Sequence, residues 1–330
     1  MNQDAKIFVA GHRGLMGSAL VRVLRAAGFP NLLLRTHSEL DLTNQELTKR
    51  FFAEERPEYV FLAAAKVGGI LANSEFPAEF IHENLRIQTN VIHEAYKSGV
   101  KRLLFLGSSC VYPKHAPQPI KEEYLLTGSL EVTNRPYALA KISGIEMCSA
   151  YNRQYGTCFI AAMPTNLYGP NDNYDLQSSH VVPALIRKIY EAKLNRSPRI
   201  VLWGTGTPRR EFLYSDDAAE ACIFLMSLPL GRVTELTHKT DDAFPLVNIG
   251  WGSDISIREL AECIATTAGV SGQLVFDSSK PDGTPRKRLD ITLIKSLGWQ
   301  PKTALREGIA TTYREYGLNP CQRSLEMTRQ

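Results

Sequence analysis

The first half of the chain alternates short apolar runs with longer segments in which apolar residues recur at helical spacing. The apolar runs predict strands over 6–10, 32–34, 59–65, 103–106 and 159–163. The segments between them predict helices over 15–27, 44–55, 77–98 and 136–155, closed by glycine or proline. Strands that are apolar on both faces and alternate with helices indicate an α/β protein with a parallel sheet covered on both sides.

The second half of the chain is less regular. Proline and glycine are frequent around residues 164–172, 204–208 and 281–285, which predicts loops and a smaller lobe. A further strand is expected over 247–250. The helix that follows, over 256–268, begins with the capping-box pattern Ser256-x-x-Glu259.

Composition and charge exclude several classes of protein. The 330 residues carry a formal net charge of +4, too small an excess to indicate nucleic-acid binding. There is no apolar run long enough to predict a membrane helix, and the N-terminus lacks a signal-peptide pattern. The 6 cysteines form no CxxC pair, which argues against a zinc site and against disulfides. We expect a reduced, cytoplasmic protein with no metal.

A glycine-rich turn follows the first predicted strand and opens the first helix. Glycines at such a junction allow a tight turn and let the backbone approach a pyrophosphate at the positive end of a helix. The alternative is a plain structural turn, but the position at the first strand–helix junction favours a dinucleotide site in a doubly wound Rossmann sheet. The predicted cradle consists of Gly11, His12, Arg13, Gly14, Leu15, Met16 and Gly17.

The end of the second predicted strand indicates which dinucleotide fits. An NAD site places an acidic residue there for the ribose 2′-hydroxyl. Here residues 34–37 read LRTH and contain no carboxylate. Arg35, together with Arg13, would favour a 2′-phosphate and hence NADP; the alternative is that Arg35 is a solvated loop charge. Asp41 is expected near the adenine.

A serine, a tyrosine and a lysine suggest the reaction chemistry. Tyr137 and Lys141 are four residues apart on one predicted helix and therefore share a face. A nearby ammonium is expected to lower the pKa of a phenol, which makes Tyr137 a usable proton donor. Ser108 follows the fourth strand, where ligands bind in such sheets. Such a tyrosine–lysine pair can also be surface decoration, but the cradle upstream makes that interpretation weak.

These motifs resemble the extended branch of the short-chain dehydrogenase/reductase superfamily, over most of the chain. Within that branch, the chain resembles the GDP-L-fucose synthase family. The resemblance rests on eight strings in order: GHRGLMGSA, LAAAKVGGI, GSSCVYP, YALAKISG, MPTNLYGP, SHVVPALIRK, WGTGTPRREF and KPDGTPRK. It implies NADPH-dependent conversion of GDP-4-keto-6-deoxy-D-mannose, with epimerisation at C3 and C5 before reduction at C4.

That chemistry gives Cys110 a role. The C–H bonds beside a ketone are acidic, and inverting those carbons needs a base on one face and an acid on the other. A thiol titrates close enough to neutrality to act as the base after modest tuning. Ser108 and Tyr137 can donate to the enolate oxygen between the steps, and Tyr137 is expected to give the proton in the reduction. The partner acid should also titrate near neutrality, and His180 is the candidate that the resemblance implies as well.

The remaining predicted site residues come from the loops and the second lobe. The cofactor-side set adds Leu106, Gly107, Ser109, Pro164, Thr165, Asn166, Leu167, Lys141 and His180. The substrate set is Lys188, Trp203, Arg210 and Asp282. Arg210 and Lys188 would hold the diphosphate, while Trp203 either stacks on the nucleotide or packs in a core.

The predicted organisation has two domains. The NADP-binding Rossmann domain covers residues 1–167 and is completed by about 211–250. The nucleotide-sugar lobe is built from 168–210 and 251–330. The resemblance also implies a homodimer formed through the two long helices.

Three alternatives to this function stay open. One is a nucleotide-sugar 4-epimerase or 4,6-dehydratase, although a dehydratase needs an Asp-Glu pair where Ser109 and Cys110 stand. A second is the same chemistry on another GDP-4-keto sugar, such as a heptose. The third is a non-enzymatic NADP sensor, which would not need Tyr137 and Lys141.

Overall fold

The structure, a computed structural model, describes residues 1–238, 244–280 and 282–318. In chain order, its strands are β1 (Ile7–Ala10), β2 (Leu32–Leu33), β3 (Tyr59–Leu62), β4 (Arg102–Leu106), β5 (Phe159–Pro164), β6 (Asn166–Tyr168), β7 (Arg199–Trp203), β8 (Arg209–Arg210), β9 (Phe212–Tyr214), β10 (Leu246–Ile249), β11 (Ile255–Ser256), β12 (Gln273–Asp277) and β13 (Arg286–Lys287). Its α-helices are α1 (Leu15–Ala26), α2 (Gln45–Glu55), α3 (Ile70–Glu75), α4 (Pro77–Lys97), α5 (Arg135–Tyr155), α6 (Val181–Leu194), α7 (Ser215–Ser227), α8 (Leu230–Thr237), α9 (Ile257–Ala268), α10 (Thr292–Leu297) and α11 (Leu305–Leu318).

The centre of the molecule is a six-stranded sheet in the order β10-β5-β4-β3-β1-β2, with every neighbouring pair parallel. All residues of β1, β3, β5 and β10 are buried, because helices cover the sheet on both sides. Helix α4 packs against α2 and α5, whereas α1 packs against α7. The predicted doubly wound α/β fold is confirmed.

Most predicted elements of the first half agree with the structure to within one or two residues. Strand β3 is shorter than predicted, because the chain leaves the sheet at Leu62. The prediction of a loop over 164–172 is wrong in part, since 166–168 form β6 and pair with β9. The predicted capping box is confirmed: the Ser256 hydroxyl accepts from the Glu259 N–H and the Glu259 carboxylate accepts in return.

The later part of the chain forms smaller sheets beside the main one. Strand β7 pairs with β12, and β8 lies between β11 and β13. A second hydrophobic cluster, separate from the core around the main sheet, is built mainly from α6, α9, α11 and the inward residues of β7. Phe212 and Tyr214 also belong to this second cluster, whereas Leu289, Ile291, Ile294 and Trp299 pack with the core around the main sheet. The boundaries of the two domains stay a prediction.

The described part of the chain has neither a membrane-spanning helix nor a metal-binding cluster of side chains. None of its helices is long and apolar enough to cross a membrane. No group of three or more histidine, cysteine or acidic residues within the same ranges could hold a metal ion. The described cysteines are all free thiols, and Cys321 lies outside the described residues.

Candidate active site

Most of the predicted site residues lie at one edge of the main sheet. Strands β1, β4 and β5 run parallel, so that the segments following them meet at their carboxyl ends. These segments are the cradle over 11–17, the turn over 107–111 and the stretch 164–167. Gly107 packs so closely there that a side-chain carbon would lie 1.7 Å from a carbon of Met163.

The three glycines of the cradle have different roles. Gly11 has a φ of +81°, and a Cβ on it would lie 2.7 Å from the backbone nitrogen of Ala64. A Cβ on Gly17 would lie 2.0 Å from the carbonyl oxygen of Gly11. The nearest protein atom to a Cβ on Gly14 is 3.6 Å away, an ordinary contact. Gly11 and Gly17 are therefore required by packing, whereas Gly14 leaves space for a ligand.

The cradle fits a bound dinucleotide in a second respect. The buried Nδ1 atom of His12 has no hydrogen-bond partner, and burial lowers the pKa of this ring. Arg13 is exposed, Leu15 is half-buried and Met16 is buried. The cradle therefore combines an open glycine, an exposed cation and an imidazole nitrogen without a protein partner at the start of α1.

The residues predicted around the ribose and adenine have protein partners. Arg35 donates to the carboxylate of Glu55 at 2.6 Å, and its guanidinium lies 5.8 Å from the centre of the Phe51 ring. Asp41 accepts from the Thr43 hydroxyl at 2.7 Å. Arg35 is half-buried rather than fully solvated, so an incoming 2′-phosphate would share it with Glu55.

Lys141 is the best-defined member of the predicted Ser–Tyr–Lys set. Its ammonium donates to the carbonyl of Leu106 at 2.8 Å and lies 4.8 Å from the centre of the Phe105 ring. Burial lowers its pKa to about 8, against the opposing influence of Cys110. The side chain, 3% exposed, thus fastens α5 to the end of β4.

The pKa predicted for Tyr137 is wrong in direction. Burial raises the pKa of this phenol, the nearby Cys110 raises it further, and Ser108 lowers it by hydrogen bonding. The Lys141 ammonium lies 5.8 Å from the ring centre and donates to a backbone carbonyl instead. Desolvation therefore outweighs the expected effect of the ammonium, and Tyr137 holds its proton firmly in the free protein.

Cys110 lies in the one-turn 3₁₀ helix 109–111 that follows β4, and its thiol is buried. Burial raises the pKa of the thiol, while Lys287, Ser108 and Lys141 lower it. The expectation that its surroundings tune the thiol toward a base at neutral pH is wrong for the free protein. Cys110, Ser108, Tyr137 and Lys141 nevertheless form one interacting group, as predicted.

His180 stands immediately before α6. Its ring is exposed, yet surrounding protein atoms lower its pKa by desolvation. That combination is typical of a side chain that lines a cleft. The preceding Ser178 accepts from the N–H of Gly69 at 2.8 Å, which joins this loop to the segment after β3. The imidazole is therefore neutral near pH 7 and able to accept a proton.

Sequence reasoning missed Lys287. It lies on β13, where it is the register partner of Arg210 on β8. Burial lowers the pKa of its ammonium most, Arg210 lowers it further, and Cys110 opposes both. The string KPDGTPRK had drawn attention to this segment, but nothing in a sequence places residue 287 beside residue 110.

The predicted substrate residues form a second group. Trp203 is 51% exposed at the end of β7, which excludes the alternative of a core tryptophan. The ammonium groups of Lys188 and Lys280 lie 5.2 Å and 5.7 Å from its ring centre. An exposed aromatic ring with two cations close to it suits a planar, anionic ligand. Lys280 is a further residue that sequence reasoning missed.

Arg210 and Asp282 lie close to this second group. Burial lowers the pKa of Arg210, and Asp282 opposes that effect. The carboxylate of Asp282 accepts from the N–H of Thr205 at 3.0 Å and from its hydroxyl at 2.7 Å. A half-buried guanidinium that donates to the backbone carbonyl of Arg209 keeps its charge available for an anion.

The sheet edge, the cradle and the Ser–Tyr–Lys group together define a nucleotide-dependent oxidoreductase or epimerase of the short-chain type. In agreement, residues 7–234 match the sequence model of a protein family that is described as the NAD dependent epimerase/dehydratase family. The chain belongs to this family.

Within this family, the chain is similar to curated proteins named GDP-L-fucose synthase. GDP-L-fucose synthase 1 of Arabidopsis thaliana is 58% identical over 98% of this chain and 96% of its own length. GDP-L-fucose synthase of Escherichia coli (strain K12) is 51% identical over 94% of this chain and 95% of its own.

Solved structures show the same similarity. A GDP-mannoheptose C4 reductase from Campylobacter jejuni with NADP bound is 42% identical, with a TM-score of 0.87, and covers 96% of this chain and 99% of its own. A GDP-L-fucose synthetase from Naegleria fowleri bound to NADP is 28% identical, with a TM-score of 0.85 over 97% of this chain and 96% of its own.

Two alanine substitutions separate the roles of the cradle glycines. Gly17→Ala should destabilise the fold by about 1–3 kcal/mol, because the methyl group overlaps the Gly11 carbonyl. Gly14→Ala should leave the melting temperature nearly unchanged and weaken NADPH binding. Thermal unfolding and NADPH fluorescence titration measure the two effects. Normal NADPH affinity in Gly14→Ala would contradict the assignment of Gly14 to the ligand.

Proposed function

We propose that this protein converts GDP-4-keto-6-deoxy-D-mannose to GDP-L-fucose with NADPH, by epimerisation at C3 and C5 and reduction at C4. The observation that carries the proposal is the grouping of Cys110 with Ser108, Tyr137 and Lys141. A reductase alone needs a proton donor beside the carbonyl, but inversion of two carbons needs a further acid–base group, which Cys110 supplies. The named GDP-L-fucose synthases, 51–58% identical, support the same assignment.

The cofactor is NADP(H), which supplies the hydride for C4. The cradle around Gly14 would hold the pyrophosphate at the start of α1. Arg13 and Arg35 would face the 2′-phosphate, and the stretch over 164–167 would border the nicotinamide. Thr165 is buried and donates to the Glu211 carbonyl at 3.1 Å, so this border is held by the segment between β8 and β9.

The substrate would lie between the sheet edge and the second lobe. Arg210 and Lys188 would bind the diphosphate, and Trp203 would stack on the base. Lys188 provides a point charge rather than a bidentate fork, so Arg210 would determine the orientation. This arrangement directs the sugar toward Cys110 and Tyr137 at the end of β4.

Epimerisation requires one group that releases a proton and another that accepts one. Burial keeps the proton on the Cys110 thiol and off the His180 ring in the free protein. The pair therefore offers one donor and one acceptor. For Cys110 to act as the base, as we propose, Lys287 and Lys141 must draw it toward the thiolate. Ser108 and Tyr137 would stabilise the enolate oxygen by hydrogen bonding.

Reduction needs a proton at the C4 oxygen as the carbonyl becomes an alcohol. Tyr137 would donate it, and its raised pKa means that the proton is present before the reaction. Lys141, charged below its pKa of about 8, would then stabilise the phenolate that remains.

A second candidate is reduction of a GDP-heptose. It rests on the similarity to GDP-heptose-processing proteins of Campylobacter jejuni at 40–42% identity, which is lower than the identity to the named GDP-L-fucose synthases. Both candidates use the same Tyr137 and Lys141 chemistry, and they differ in the substituents of the sugar.

Product analysis tests the proposed function directly. The protein, mixed with GDP-4-keto-6-deoxy-D-mannose and NADPH, should yield GDP-L-fucose by NMR, because both inversions and the reduction occur at one site. A 6-deoxy sugar with unchanged C3 and C5 would remove the epimerase role of Cys110 and His180. No turnover with this sugar, but turnover with a GDP-4-keto-heptose, would establish the second candidate.

Hydrogen exchange isolates the role of Cys110. In deuterated water without NADPH, the native protein should place deuterium at C3 and C5 of the keto sugar. Cys110→Ser should slow this exchange by about 10²-fold or more, because a serine hydroxyl is far less acidic than a thiol. Cys158→Ser, which changes a half-buried thiol on another segment, is the control. Equal exchange in Cys110→Ser and the native protein would exclude Cys110 as the base.

A homodimer through α4 and α5 is also proposed. The helices pack side by side, and the outer surface of α5 exposes Leu139, Ser143 and Tyr155. Ser143→Arg should therefore halve the mass measured by light scattering, because a buried guanidinium would have no partner. Leu194→Glu, at the exposed end of α6, should leave the mass unchanged. A monomeric native protein would contradict the proposal.

A further inference from the structure

Glu211 is a fully buried carboxylate between β8 and β9, and the catalytic scheme above does not use it. Its two oxygens accept hydrogen bonds from two separate parts of the second lobe. The N–H of Gly252 donates to Oε1 at 2.6 Å, and the N–H of Leu289 donates to Oε2 at 2.7 Å. The carboxylate thus joins the segment after β10 to the segment after β13.

The backbone of Glu211 joins two more segments. Its carbonyl accepts from the Thr165 hydroxyl at 3.1 Å and from the Asn166 amide at 2.9 Å. Its N–H donates to the carbonyl of Lys287 at 3.3 Å. A Cβ on Gly250 would lie 2.3 Å from Oε1, so the site fits this carboxylate tightly. Glu211 therefore links the loop after β5 to β13.

These bonds determine where β13 and its continuation lie. Lys287 pairs with Arg210 on one side. Beyond it, Ile120 donates to the Arg288 carbonyl at 2.8 Å, and Asp290 donates to the Ile120 carbonyl at 2.8 Å. The strand therefore runs alongside the chain that leads away from Cys110. Glu211 holds its middle, at Leu289.

Lys287, on β13, is close enough to Cys110 for its positive charge to lower the pKa of the thiol. It opposes burial in the balance that determines the pKa of Cys110, as do Ser108 and Lys141 on the sheet side. The carboxylate of Glu131 favours the charged form of the Lys287 ammonium, whereas burial and the nearby Arg210 disfavour it. Its effect on Cys110 depends on distance, and so on the position of β13.

We propose that Glu211 is a positioning residue for the epimerase chemistry: its carboxylate holds the 287–289 segment so that the Lys287 ammonium faces the Cys110 thiol. The inference rests on the proposed function, because it assumes that Cys110 must reach the thiolate. Glutamine at this position has the same shape but one acceptor oxygen. Its amide group would face one of the two backbone N–H donors, so one segment would be released.

The test measures Cys110 reactivity in the full-length protein without substrate. Alkylation of Cys110 by iodoacetamide is measured as a function of pH by mass spectrometry of the Cys110 peptide. The pH range lies above 7, because burial raises the pKa of Glu211 to about 7 and the carboxylate must be charged. Glu211→Gln should move the midpoint upward by about one pH unit, because an opposite charge within contact range lowers a thiol pKa by that amount or more. NADPH binding should be unchanged.

The matched control is Asp217→Asn. Asp217 is also a buried carboxylate that accepts two backbone N–H groups, those of Lys302 and Thr303 at 2.8 Å each. It takes no part in the interactions of Cys110. The two variants should lose similar stability, but Asp217→Asn should keep the native alkylation profile. A shift of equal size in both variants would reduce Glu211 to a general structural role and overturn the proposal.

A double-variant cycle shows whether Glu211 acts through Lys287. Lys287→Met alone should raise the alkylation midpoint, and adding Glu211→Gln to it should produce no further rise. A full additional rise would contradict the proposal.

Should Glu211→Gln not fold, Glu211→Asp keeps the charge but shortens the side chain. An unchanged alkylation midpoint in Glu211→Asp would also count against the inference. A shifted midpoint without C3 and C5 exchange would leave the positioning intact and refute the proposed function.

Discussion

The candidate site depends on one hydrogen bond, from the ammonium of Lys141 to the carbonyl of Leu106. It fastens α5 to the last residue of β4, and the proposed catalytic groups lie on either side of it. Ser108 and Cys110 follow Leu106 in the chain, and Tyr137 lies one helical turn before Lys141. A hydrogen bond to a charged group contributes about 1.5–3 kcal/mol, but its greater effect here is geometric. It fixes two separate segments against each other.

Burial then controls the protonation of the site. It raises the pKa of Tyr137 and Cys110, and it lowers that of Lys141 and His180, so every group is pushed toward its neutral form. In the free protein the phenol and the thiol therefore keep their protons, and the imidazole is neutral. Cys110 becomes the proposed base only where Lys287 and Lys141 favour its thiolate, and His180 must first gain a proton before it can act as the acid.

The sequence predicts the parallel sheet because residues that are neighbours in the chain indicate each of its strands and helices. Each strand is a short buried run, and the cradle follows the first of them. The long-range features could not be predicted in this way. Strand β6 forms because β9, more than forty residues later, offers it a partner. Lys287 acts on Cys110 across an even longer separation. The predicted lowering of the Tyr137 pKa was wrong for another reason: helix spacing shows that an ammonium is near, but not how much water is excluded from the phenol.

The pairing of β8 with β13 connects substrate binding to thiol chemistry. Arg210 and Lys287 are register partners, and the positive charge of Arg210 lowers the pKa of the Lys287 ammonium. A diphosphate bound at Arg210 would neutralise that charge and so keep Lys287 protonated. The ammonium would then be most fully charged when the sugar lies beside Cys110. The pairing of β8 with β13, held in place by Glu211, would in this way favour the Cys110 thiolate mainly when substrate is bound. A substrate proton is then available to it.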